Sequence, residues 1–320
     1  MVRDMQAEEH QRWFHGCHAC GQCCDSAPQA ALPELMRHQH RLLGELGARR
    51  VPRLAAGQRL GRAAVLDEDD VRAHDELSRR IHLPIGAVAG HSEWLYLFTQ
   101  GFSYASLAAC PARGADGRCQ LHDEGKPAVC GSVPLEALWP ARLQRFALSE
   151  READARRWGA DCISPLPRVG LPLFVERAAV VDPASLDALD RRQRSLEQER
   201  HHWGQRVAAW LGFDGPNARA VPATGTLDLS ITPVLAVVAE ASPVCRERVL
   251  EYLSAQLQLI EDTLRGALQR KNPADRSDTA RLRKHAEAHQ ALRRRLTDGP
   301  HPPARSDAAD LERWLRGQAN

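Results

Sequence analysis

Apolar periodicity is clearest in the second half of the chain. Between Asp182-Pro183, which read as an N-cap and first-turn pair, and Gly212, which marks a helix end, Leu186, Leu189, Leu196, Trp203, Val207 and Trp210 recur on one face. A second helix begins near Pro243 and sets Val249, Leu253, Leu257, Ile260, Leu264 and Leu268 three or four residues apart. Both stripes predict core. Residues 271–297 are rich in Arg, Lys and His with few apolar positions and read as a helix with a solvated face, as does His201-His202 among its Glu and Arg neighbours. Gly299, Pro300, Pro302 and Pro303 then form a linker ahead of a short amphipathic end at Leu311, Trp314 and Leu315.

The first half has weaker periodicity. It reads as short helices and irregular connections, with an aromatic run (Trp94, Tyr96, Phe98, Phe102, Tyr104) that suits a strand and helical character over 133–159 despite Pro140. Cys162, Pro165 and Pro167 break that pattern, so a lobe junction is expected near 165–180. The fold class expected is mainly α. An irregular cysteine-rich metal-binding lobe should span 1–170 and a helical lobe 171–320, a division that suits a chain of 320 residues.

Charge adds little. The 43 Lys and Arg nearly cancel 41 Asp and Glu, which gives no global reason to expect nucleic acid or an acidic membrane as partner. Met1 to Trp13 lacks the apolar run of a secretory signal, and no stretch approaches the ~20 apolar residues of a membrane span, so a soluble cytoplasmic protein is expected. No phosphate-binding glycine loop, dinucleotide fingerprint, HExxH or nucleophile elbow is present, nor the CxxxCxxC of radical enzymes.

Cysteine changes the picture. Eight of the nine cysteines lie between 17 and 162, and in a reducing compartment such clusters point to metal or redox chemistry rather than disulfides. Cys17-His18-Ala19-Cys20-Gly21-Gln22-Cys23-Cys24 puts four thiols within eight residues. Two residues between ligands let a turn bring both sulfurs to one centre, and Gly21 permits the tight backbone. Adjacent Cys23 and Cys24 in extended backbone would point to opposite sides, which suggests that one serves a second site or a redox role. A second group comprises Cys110-Pro111, Cys119 and Cys130, with Gly114, Asp116 and Gly117 as a turn, and Cys162 is the eighth. His15, His18 and His122 lie nearby as neighbours more than ligands, because thiols suffice. Cys245 falls inside a helical pattern and reads as core. Zinc and an iron–sulfur cluster of the 4Fe-4S kind both accept four thiolates, and spacing does not choose between them.

The CxxCxxCC motif followed by "CPARGADGRCQLHDEGKPAVC" resembles the YkgJ-like cysteine-cluster family, described as zinc- or iron-chelating domain proteins. The resemblance covers about residues 14–134. It implies chelation by Cys17, Cys20, Cys23, Cys24, Cys110, Cys119 and Cys130. The chain departs from the family pattern at its end, where Lys126-Pro127 precedes Cys130 and Gly131 follows it in place of arginines.

Two functions are compatible with these residues. One is a metal- or cluster-binding accessory module, with the helical half meeting a protein partner or handing over metal. The other is an enzyme related to the flagellin lysine methylases, which carry a similar cysteine cluster and use S-adenosylmethionine on protein lysines. Residues 165–320 offer nothing assignable to that cofactor.

Overall fold

The computed structural model describes residues 12–17, 21–60, 64–88, 91–122, 124–157, 159–177, 179–300 and 303–317. Its elements begin with β1 (Arg12–His15), α1 (Leu32–Arg37), β2 (Gly44–Pro52), β3 (Arg59–Leu60), β4 (Ala64–Val65), α2 (Glu68–Ile81), β5 (Leu83–Val88) and β6 (His91–Gly101). They continue through α3 (Ala128–Ser132), α4 (Gln144–Arg157), β7 (Ile163–Ser164), β8 (Leu173–Glu176), β9 (Ala179–Val180) and α5 (Pro183–Glu199). A π turn (Arg200–Gly204) leads into α6 (Gln205–Leu211), followed by β10 (Leu227–Ser230), α7 (Thr232–Ala239), α8 (Pro243–Arg270), α9 (Arg276–Asp298) and α10 (Ala308–Leu315).

The expected mainly α class is therefore corrected. Two four-stranded sheets, ordered β7-β1-β8-β9 and β10-β2-β6-β5, stand beside the helices, and the pairs β1/β7, β1/β8, β8/β9, β10/β2 and β5/β6 are antiparallel. Strands of two to four residues such as β7, β8 and β9 are too short for alternation to register. The longer β2 reads GELGARRVP and forms by fit rather than propensity. A Cβ at Gly47 would run into the Phe98 ring, and the Arg49 guanidinium lies 5.2 Å from the centre of Tyr96. Trp94 through Phe98 are all buried in β6, as in a strand covered on both faces.

The chain divides into two compact units, each drawn from three segments. The first holds 1–25, 52–82 and 113–197. Here Asp67 caps α2 by accepting the Asp70 amide at 2.7 Å, while Asp70 returns a carboxylate to the Asp67 amide. Asp70 is buried and accepts Arg142 Nε at 2.7 Å, with Arg145 at 3.5 Å. That pairing ties α2 to the start of α4 above a cluster of Leu66, Leu143 and Phe146.

The second unit holds 26–51, 83–112 and 198–320. Its centre is α7, apolar on every side, in which Val234, Leu235 and Val238 are fully buried and contribute roughly 1.5–3 kcal/mol each. Gln256 of α8 is also fully buried. Its amide accepts the Gly44 N–H at 2.7 Å and donates to the carbonyls of Gln39 and Leu42, which fixes the entry to β2. Ser242 caps α8 at the Cys245 amide, and Cys245 is wholly buried. The α9 segment differs from the expected solvated helix. Leu282, His285, His289, Leu292 and Leu296 form one buried stripe in which two of five positions are histidine. Among the described residues, no helix is long and apolar enough to cross a membrane.

Candidate metal centre

Sheet pairing in the first unit sets the base of the cysteine-bearing region. His15 pairs with Ile163, and the next amide, Gly16 N–H, donates to the carbonyl of Cys162 at 3.1 Å. Cys162 is thereby held opposite the residue that precedes Cys17. The His15 ring packs on Phe174 at 5.0 Å, and burial pushes its pKa down against the opposing pull of Asp182. His18 and Cys20 lie outside the described residues.

Beyond them Gly21 opens a turn in which its carbonyl accepts the Cys24 amide at 3.1 Å. This turn alters the expectation for the adjacent pair. Cys23 and Cys24 are not in extended backbone with thiols turned apart; their side chains are hydrogen-bonded. That bond chiefly lowers the Cys23 thiol to a pKa of about 6, against the opposing effect of burial, with Arg151 assisting and Asp25 resisting.

The second cysteine segment folds back on this turn. Arg113 and Cys119 bridge across a loop in which Gly117 N–H donates to Gly114 at 2.9 Å and Arg118 N–H to the Asp116 carboxylate at 3.0 Å. Gly21 has a φ of +71°, and a Cβ placed on it would stand 2.5 Å from the Gly117 carbonyl oxygen and 3.1 Å from Arg113 Nε. Only glycine allows both that conformation and that approach. The backbone of the CxxCxxCC loop thus rests on the turn carrying Cys119, with a guanidinium over it. Cys17 and Cys23 are exposed, and Cys24, Cys119, Cys130 and Cys162 are half-buried. Cys130 sits in the first turn of α3, its amide bonded to Pro127 at 2.9 Å. Cys110 is half-buried in the second unit's segment 83–112, its sulfur accepting the Ala112 amide at 3.4 Å.

The thiols themselves are less gathered than the backbone. Among the described residues, the one group of three or more His, Cys, Asp or Glu whose ligand atoms all lie within 4.8 Å of one another is His201, His202 and Asp310. No three described thiols share such a centre. Thiolates are ligands for zinc and for iron–sulfur clusters alike, and the Arg113 side chain lies beside the Gly21 backbone.

Two clusters in the second unit escaped sequence reasoning. His202 was expected on a solvated face but is 2% exposed, its ring 4.8 Å from Trp314. Burial, aided by His201, pushes its pKa down to about 4. Nearby, a cavity of about 330 Å³ is lined by Arg206, Trp210, Glu240, Arg295 and Arg305, and Trp210 is exposed there at the end of the stripe. The other cluster surrounds Glu45, 2% exposed on β2, with Arg281 Nε at 3.4 Å and His285 Nδ1 at 3.6 Å. Burial lifts Glu45 to about 8 against the pull of Arg281, while His285 and His289 are pushed down to about 4 by burial. The placing of His285 and His289 four apart on the Leu282–Leu296 stripe was the available signal. No family model, curated protein or solved structure matches the chain.

Proposed function

We propose that the first unit is a thiolate metal-binding module of the YkgJ-like kind, holding zinc or an iron–sulfur cluster through cysteines drawn from Cys17, Cys20, Cys23, Cys24, Cys119, Cys130 and Cys162. The protein then serves as a metal-handling or accessory module for a protein partner in the reducing cytoplasm, where such thiolates remain ligands. The observation that supports this most is the seat of Gly21 against Gly117 and Arg113, which joins the two cysteine motifs through their backbones. The lowered thiol of Cys23 adds to it, because the thiolate is the form that ligates. Bound metal would draw the remaining sulfurs together and stabilise loops that have little core of their own.

The test compares metal content in Cys17→Ser, Cys162→Ser and Cys245→Ser. The first two are expected to lose metal, and the third to retain it. Metal content unchanged in all three would overturn the reading.

A further inference from the structure

The π turn Arg200–Gly204 interrupts a long helix at the point where two histidines are consecutive. Such one-turn insertions alter the angular spacing of side chains and recur at functional sites. His202 is turned inward against Trp314, while His201 stays exposed with its ring centre 5.2 Å from that of His202. Asp310, in the first turn of α10, brings one carboxylate oxygen to 3.9 Å from His202 Nε2. Its other oxygen accepts from Arg313 at 3.0 Å. Packing alone explains why His202 is buried. It does not explain why an exposed imidazole and an exposed carboxylate converge on the same ring.

From this geometry we infer that His201, His202 and Asp310 form a binding site for a divalent transition-metal ion of the zinc class, separate from the cysteines, that fastens α10 to the π turn. Two imidazoles and one carboxylate are a donor set used by zinc and by other first-row ions, with a further position left to water or a small anion. A tetrahedral ion with bonds of about 2.0–2.1 Å needs donors roughly 3.3 Å apart. The present spread of up to 4.8 Å has to close for an ion to bind, and His201 and Asp310 are the two exposed side chains that can move towards the buried His202, Asp310 at the expense of its bond from Arg313. Both lie where rotation meets solvent rather than core.

Equilibrium dialysis of the full-length protein against zinc, followed by elemental analysis, reads this site as an equivalent of metal. His201→Gln and Asp310→Asn are surface changes, and each is expected to hold one equivalent fewer than the unaltered protein while keeping its circular dichroism. Zinc should raise the melting temperature of the unaltered protein above that of either variant. Cys17→Ser tests the thiolate reading separately and should leave intact the equivalent that His201→Gln removes. Equal zinc content in the unaltered protein and both variants would overturn the inference.

Discussion

Replacing Gly21 with alanine probes the contact on which the cysteine-bearing region is built. The residue has φ +71°, a left-handed conformation that costs a non-glycine residue about 1–2 kcal/mol. The added methyl also stands 2.5 Å from a backbone oxygen, Gly117, which cannot swing away as a flexible side chain would. Overpacking of this kind costs a further ~1–3 kcal/mol, so the total is about 2–4 kcal/mol after the small gain from stiffening the unfolded chain. Gly159→Ala supplies the comparison. Gly159 has φ +73° and nothing within 4 Å of the new Cβ, so it isolates the backbone component at about 1 kcal/mol. Urea unfolding of the two variants, with metal analysis on each, measures the difference. Gly21→Ala should lose both stability and metal, and Gly159→Ala should keep its metal. Equal small losses with full metal in both would refute the idea that the Gly21 approach organises the thiols.

Asp70→Ala removes the buried partner of Arg142 and Arg145 and should cost about 2–3 kcal/mol in urea melts, less than a fully buried pair because the Arg142 side chain keeps 35% exposure. A change under ~0.5 kcal/mol would show that the pairing holds nothing. Glu45 gives a pH signature. Its folded pKa of about 8 lies above the ordinary 4.5, so its contribution is complete below 4.5 and is lost progressively as pH rises to about 8. His285 and His289, lowered to about 4, act in the other sense and lose stability as pH falls from 6.5 towards 4. Stability of the second unit should therefore peak near pH 6.5, and Glu45→Gln should flatten the decline above it. An unchanged slope between pH 6.5 and 8 in that variant would contradict the assignment.

The helices were legible because their apolar stripes are long. Val249, Leu253 and Ile260 lie buried on α8 as their spacing predicts, and Leu311, Trp314 and Leu315 form the short amphipathic end. Of the sheets, β6 was legible in its aromatic run of Trp94, Tyr96 and Phe98, whereas β1, β7, β8 and β9 are too short to show a period and β2 depends on a distant ring at Gly47. The turn at Gly114, Asp116 and Gly117 was readable from residue type alone. The histidine clusters were hidden for a different reason. His202, His285 and His289 carry polar side chains at buried positions, so a reading by hydropathy assigned them to water.

Whether thiolates of the first unit hold a metal centre is read by anaerobic purification of the His201→Gln protein, followed by metal and acid-labile sulfide analysis with an absorption spectrum. In that variant, which lacks the histidine site, metal is expected in stoichiometric amount: iron with sulfide and a broad band near ~400 nm for a cluster, or colourless zinc without sulfide. Folded His201→Gln protein that contains neither iron nor zinc, and gains neither on anaerobic reconstitution, would rule out the thiolate centre.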